Sequence, residues 1–315
     1  MSRILVTGAT GFVGSTLVER LTQQPEFTVK AVARKREALP KTVEGIQITD
    51  LNAETNWQKA LVDVDVIIHT AARVHMLNDQ CADPLAEFRR VNVEGTLHLA
   101  RQAAIAGVKR FIFLSSVKVN GEETTSGKKF SEADMPSPQD AYGLSKYEAE
   151  QGLLALAAQT GLEVVIIRPP LVYGPGVKAN FESMMRWVKK GVPLPFGAIY
   201  NKRSLVGITN LIEFIIRCIH HPNAVNQIFL ISDDCDVSTS ELLRGCAKVL
   251  GVPSRLISMP QSLLKGVACI VGKHAVIQRL CGSLQIDISK AKRELDWSPV
   301  YSVEEGLRAT AKQFL

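Results

Sequence analysis

Val6-Thr7-Gly8-Ala9-Thr10-Gly11-Phe12-Val13-Gly14 decides the fold of this chain. A Gly-x-x-Gly-x-x-Gly turn lies between an apolar strand, Arg3–Thr7, and a helical pattern over Gly14–Gln23. Gly8 permits a tight turn, Gly11 lets backbone amides approach a pyrophosphate, and Gly14 lets the helix pack on the strand. The helix N-terminus adds partial positive charge. Gly8, Thr10, Gly11, Phe12, Val13 and Gly14 are therefore candidate contacts for a dinucleotide.

Outward from this turn, short apolar β-branched runs alternate with longer helical patterns, which argues for βαβ units and a parallel sheet. Strands are expected at Arg3–Thr7, Thr28–Ala33, Ile46–Ile48, Val66–Thr70, Arg110–Ser115 and Glu163–Arg168. Helices are expected near Gly14–Gln23, Trp57–Leu61, Pro84–Ala106 and Tyr142–Gln159. The class is α/β, a Rossmann-type doubly wound parallel sheet. Residues 1–170 would form the dinucleotide-binding domain, with a returning strand near 228–231. Residues 171–315 would form mainly a smaller, partly interleaved substrate-binding domain.

The 315 residues are enough for a large core without staples. Hydrophobic residues at 46% and charged residues at 22% exclude a disordered or fibrous chain. The formal charge of +6 is too small for a nucleic-acid binder of this length and suits an anionic small substrate. Six cysteines form no Cys-x-x-Cys pair and read as free buried thiols, and no metal site is expected. The chain enters its first strand without a leader, so a cytoplasmic location is expected. Leu263 to Leu280 is interrupted by Lys265, Lys273, His274 and Arg279 and reads as an amphipathic core helix, not a membrane span.

At the end of the second strand an acidic residue accepts from a ribose 2′-hydroxyl, whereas arginine accommodates a 2′-phosphate. Here the sequence reads Ala33-Arg34-Lys35-Arg36, so NADP(H) is expected in preference to NAD(H), with Arg34 as the main contact. Asp50 and Leu51, after the third strand, are placed to meet the adenine. Tyr142 and Lys146 stand at i and i+4 on one helix face. A lysine cation and an oxidised nicotinamide both favour a phenolate, so the Tyr142 pKa would fall and the side chain could shuttle a proton. Ser115-Ser116 follows the strand Phe111–Leu114 and offers a hydroxyl to the same substrate oxygen.

Together these motifs resemble the extended short-chain dehydrogenase/reductase family of nucleotide-sugar epimerases, dehydratases and reductases. The likeness spans the chain: the glycine turn, Asp65-Val66-Ile67-Ile68-His69-Thr70-Ala71-Ala72, Asn92-Val93-Glu94-Gly95-Thr96, Ser115-Ser116, Tyr142/Lys146 and Arg168-Pro169-Pro170-Leu171-Val172-Tyr173-Gly174-Pro175-Gly176. The resemblance implies that Ser116, Tyr142 and Lys146 form a catalytic triad. It also implies that Ala71 and Ala72 line the cofactor and that Asn92 supports Lys146. Asn180, Arg203 and Arg279 would hold a nucleotide-sugar diphosphate and base, and His75 would face the sugar. Where many relatives carry an aromatic, Val117-Lys118-Val119-Asn120-Gly121 has none, which alters the wall near the sugar. The resemblance also implies a homodimer built on Pro84–Ala106 and Tyr142–Gln159.

Three readings follow. The first is NADPH-dependent reduction of a UDP-4-keto(-6-deoxy) N-acetylhexosamine for surface-polysaccharide precursors. The second is a UDP-sugar 4-epimerase with retained NAD. The third is a non-catalytic NADP-sensing scaffold, which has no need of an intact Ser116/Tyr142/Lys146 set. The basic strand end at Arg34 ranks the reductase first.

Overall fold

The computed structural model describes residues 1–74, 83–125, 127–270 and 274–315. In chain order, the first half contains β1 (Ser2–Thr7), α1 (Phe12–Thr22), β2 (Phe27–Ala33), β3 (Glu44–Gln47), α2 (Gln58–Leu61), β4 (Val66–His69), α3 (Pro84–Arg89), α4 (Thr96–Ile105), β5 (Arg110–Leu114), α5 (Ala141–Thr160) and β6 (Glu163–Arg168). The second half adds β7 (Leu171–Tyr173), α6 (Ala179–Lys189), β8 (Leu205–Gly207), α7 (Ile208–His220), β9 (Gln227–Leu230), α8 (Thr239–Leu250), α9 (Gln261–Ile270), α10 (His274–Cys281), α11 (Ser289–Leu295) and α12 (Val303–Ala311).

Seven parallel strands form one sheet in the order β3-β2-β1-β4-β5-β6-β9, and β7 pairs with β8 separately. The order reverses between β1 and β4, and ligands bind outside the strand ends at such a switch point. β1, β4, β5 and β6 are nearly continuous apolar runs because helices cover both sheet faces. One core joins Ile4, Val6, Ile68 and Ile112 to Leu17 of α1 and to Leu211, Phe214 and Ile215 of α7. The other joins Leu5, Ile67, Phe111 and Ile166 to Leu99 of α4 and Leu153 of α5. A third, under β7 and β8, packs α6, α8 and α12.

Two expectations change. The single helix expected over Pro84–Ala106 is broken by a π-helical segment, Arg90–Gly95, between α3 and α4. Of the apolar stretch Leu263–Leu280, residues 263–270 lie in α9 and residues 274–280 in α10. Cys218 and Cys246 are free and buried and Cys281 is buried, but Cys235 is free and exposed, while Cys81 lies outside the described residues. Among the described residues, no helix is long and apolar enough to cross a membrane.

Candidate functional site

The Gly8–Gly14 turn leaves β1 beside the end of β4, at the switch point. Gly8 has φ +69, and a Cβ there would lie 2.6 Å from Ala71 N. A Cβ on Gly14 would lie 2.1 Å from Gly8 O, so neither position admits a side chain. Gly11 caps α1 without a side-chain hydrogen bond, and Phe12 and Val13 open the helix. The first-turn amides, with no intrahelical acceptor, thus open beside Thr10, with Ala71 against Gly8. This is a cradle for an anion.

At the adjoining edge the three cations separate. Arg34 and Lys35 are exposed beyond β2. Arg36 instead folds back across β3: its Nη2 donates to Val43 O at 3.3 Å, and a Cβ on Gly45 would lie 2.2 Å from its Nε. Arg36 is therefore not placed beside a 2′-phosphate, which leaves Arg34 and Lys35. The Asp50 carboxylate accepts from Leu51 N at 2.8 Å and from Arg90 Nη1 at 2.5 Å. Burial opposes ionisation of Asp50, but Arg90, the Leu51 amide and Arg34 outweigh it and lower its pKa. Leu51 is buried against Gly95.

The π segment turns Asn92 inward. Its Oδ1 accepts from Arg73 N at 2.8 Å, and its Nδ2 donates to Arg73 O at 3.1 Å and to Ser145 Oγ at 3.0 Å. Asn92 thereby ties the end of β4 to α5, one residue before Lys146. Extra-residue bulges of this kind re-aim side chains at sites.

Asp140 caps α5 by accepting from Gly143 N at 2.7 Å, which fixes the start of the turn carrying Tyr142. Lys118 Nζ pairs with the same Asp140 and with Glu122, the latter at 3.1 Å. A Cβ on Gly143 would lie 2.9 Å from Lys118 O. The serine segment and the tyrosine helix are therefore clamped together, and Ser116 Oγ accepts from Lys118 N at 3.2 Å within that clamp. Tyr142 is half-buried and edge-on to Phe88, with ring centroids 6.1 Å apart.

Lys146 is only 1% exposed, and its Nζ lies 4.1 Å from the centroid of the Phe113 ring. Burial pulls its pKa down to about 7, against the raising effect of Glu150. Burial and the Asp140 charge push Tyr142 up to about 12. The protein alone thus does not produce the lowered phenol pKa expected from the sequence. A phenolate at neutral pH needs a further positive charge, such as that of an oxidised nicotinamide.

Behind Ser116 lies a buried network that the sequence reading missed. Ser115 Oγ donates to Glu150. Glu150 also accepts from Arg168 Nε at 3.0 Å and from Nη2 at 2.5 Å. Arg168 Nη1 donates to Asn120 Oδ1 at 3.0 Å. Asn120, expected to alter the sugar wall, is buried and spent on Arg168 and on Ser131 O. A signal was present in Lys146 and Glu150, which stand at i and i+4 on the helix that carries Tyr142.

In the second half of the chain, Arg203 pairs by backbone with Val237, and its Nη1 donates to Arg279 O at 2.7 Å and Gly282 O at 3.1 Å. Burial lowers its pKa. Arg203 and Arg279 are thus brought together. Asn180 is exposed at the start of α6, with no described contact to either. His75 lies outside the described residues. No group of His, Cys, Asp and Glu among the described residues could hold a metal ion.

The site fits a nicotinamide dinucleotide on two observations. Gly8 and Gly14 admit no Cβ where the turn opens toward a ligand, and the buried Lys146 amine sits 4.1 Å from the Phe113 ring centroid on the helix that carries Tyr142. Comparisons with known proteins agree. Residues 4–232 match the model of the NAD dependent epimerase/dehydratase family. A UDP-glucose 4-epimerase of Vibrio cholerae is 50% identical over 315 residues, covering 99% of this chain and 95% of that protein. An N-acetyl-alpha-D-glucosaminyl-diphospho-ditrans,octacis-undecaprenol 4-epimerase of Escherichia coli O157:H7 is 27% identical, covering 98% and 93%. Among solved structures, MoeE5 in complex with UDP-glucuronic acid and NAD superposes with a TM-score of 0.80 at 25% identity, covering 99% of each chain.

Proposed function

The chain belongs to the NAD-dependent epimerase/dehydratase family, and we propose that within it the protein interconverts the C4 epimers of a UDP-sugar. One observation carries this reading: the 50% identity to a UDP-glucose 4-epimerase extends over nearly the whole of both chains. It reverses the ranking drawn from Arg34, which placed the reductase first.

The Gly8–Gly14 turn would hold the pyrophosphate, Asp50 and Leu51 would meet the adenine, and Lys146 would bond the nicotinamide ribose. A dinucleotide held there would supply a two-electron acceptor for the hydride from C4 and a donor for its return. Ser116 orients the C4 oxygen. Tyr142, as phenolate, takes the hydroxyl proton when the 4-keto sugar forms and gives it back when the opposite face is reduced. Arg203 and Arg279 would hold the anionic diphosphate, Arg203 through donors beyond its two carbonyl contacts. Residual specificity for the sugar would come from the wall around Lys118 and from His75. A homodimer would pack α4 and α5 against a two-fold mate, and the location would be cytoplasmic.

One observation favours the reductase instead: Arg34 and Lys35 stand at the end of β2, where a carboxylate would reject a 2′-phosphate. The test is incubation of the purified chain with UDP-glucose, UDP-N-acetylglucosamine or a UDP-4-keto-6-deoxy sugar, followed by product NMR and dinucleotide absorbance. Epimerisation of a UDP-hexose without net dinucleotide consumption is expected. Stoichiometric NADPH oxidation by the keto sugar, with no epimerisation, would establish the reductase in its place.

A further inference from the structure

Positive charge is concentrated in two stretches of the sequence, where two of the cations, Arg186 and Lys248, pair with Glu182 and Glu304 from outside them. Residues 183–212 and 242–286 contain no Asp or Glu but hold eleven Lys and Arg, whereas the remaining 240 residues hold 26 Lys and Arg against 31 Asp and Glu. The fold sets the two acid-free stretches side by side. Leu194 N donates to Arg255 O at 3.0 Å, Ile257 N to Leu194 O at 2.8 Å, and Gly197 N to Ile257 O at 3.0 Å. A Cβ on Gly191 would lie 3.8 Å from the Arg255 guanidinium.

The same stretches expose large apolar side chains: Trp187 is 55% exposed, Val192 43%, Ile257 54% and Leu263 53%. Val192 N donates to Trp187 O at 3.4 Å, which holds those two near each other. Lys190 is exposed in the turn between them. A solvated basic face has no need of these aliphatic groups, and an apolar protein contact has no need of the cations. Both together are what partition into a lipid headgroup layer uses: apolar area buried at the acyl boundary, and cations attracted to anionic lipid. Nucleic acid is the poorer match, because single strands stack on planar side chains and Val192 and Ile257 provide none.

We propose that the surface formed by residues 187–197 and 255–257 docks on an anionic membrane surface, with Trp187, Val192 and Ile257 entering the headgroup layer and Lys190 and Arg255 meeting lipid phosphates. The inference does not depend on which reaction the site performs.

The full chain is sedimented with phosphatidylcholine vesicles, with and without phosphatidylglycerol, at low and high salt. Binding is expected only with phosphatidylglycerol and only at low salt. Trp57 and Trp297 are buried, so quenching of tryptophan emission by brominated acyl chains reports on Trp187 and is expected on binding. Lys190→Glu with Arg255→Glu should weaken binding roughly 30-fold or more, at the usual contribution of a cation near an anionic surface. Turnover in vesicle-free buffer should be unchanged, which also shows that the variant folds. Trp187→Ala should weaken binding and abolish the quenching.

Absence of vesicle binding at low salt, or binding that survives the double reversal, would overturn the proposal. So would retention of an acidic protein or RNA without retention of lipid, which would assign the surface to that partner. A steep salt dependence of kcat/KM without vesicle binding would overturn it as well, assigning the charge to attraction of the anionic substrate.

Discussion

Glu150→Gln probes the buried network beneath the serine segment. Arg168 and Glu150 are 2% and 0% exposed at their side chains, and the guanidinium is held at Nε and Nη2 by the two carboxylate oxygens. Glutamine keeps the size and one acceptor oxygen, but its amide turns donors toward Arg168 Nη2 or Ser115 Oγ, and the guanidinium charge stays buried without a counter-charge. Removing one partner of a buried pair costs about 3–5 kcal/mol. The retained oxygen places this variant near the lower figure. For a chain of this size that corresponds to a melting temperature lower by roughly 4–6 °C, read by scanning calorimetry.

The same substitution removes the charge that raises Lys146, so the Lys146 pKa should move below about 7, away from its ordinary value. At neutral pH less of the ammonium remains, and dinucleotide affinity should fall across pH 6 to 8. Glu150→Leu with Arg168→Met removes both charges and should recover most of the melting temperature without restoring dinucleotide affinity. Melting of Glu150→Gln within about 2 °C of wild type would refute the reasoning, because it would mean that water or relaxation already satisfies the guanidinium.

Three further outcomes follow from the site. Tyr142→Phe should lower turnover by about a hundredfold or more while dinucleotide affinity by calorimetry changes little, since only the proton carrier is removed. Gly14→Ala should abolish dinucleotide binding and lower the melting temperature, because the new Cβ would lie 2.1 Å from Gly8 O; near-normal titration of the dinucleotide would count against the cradle. Arg34→Asp should lose about ten- to a hundredfold in NADPH affinity, the equivalent of one charge-assisted hydrogen bond to phosphate, and gain preference for NADH. Equal affinities for both dinucleotides in the wild type would remove Arg34 as the selecting group.

What the sequence made legible was local or strongly periodic. The glycine turn carries its own backbone demands, and the i, i+4 spacing of Tyr142 and Lys146 fixes a shared face. The parallel order follows from alternating runs buried on both sides. What it hid depends on groups brought together by the fold. Nothing in Arg34-Lys35-Arg36 says that the third cation folds over Gly45, a contact made only when β3 lies beside β2. The clamp of Lys118 on Asp140 joins residues 22 apart in sequence. The π segment at Asn92 lies inside an otherwise regular helical pattern. The ranking of reductase over epimerase rested on one strand end, a local charge that 50% identity along the chain outweighs.

The return of the chain to its sheet bears on how the molecule is made. β6 ends at Arg168, and its outer neighbour β9 begins at Gln227, with 58 residues between them. α7, which packs against α1 on the same sheet face, also lies in that interval. During synthesis, then, the first six strands emerge with the β6 edge unpaired, and with one apolar face covered by α1 but not yet by α7, until residue 230 has left the ribosome. Such edges recruit other strands. The seven-stranded sheet therefore completes itself only after residues 171–226 exist. A chain stopped near residue 170 would be an aggregation-prone intermediate, with the cradle present in sequence but its supporting layer still incomplete.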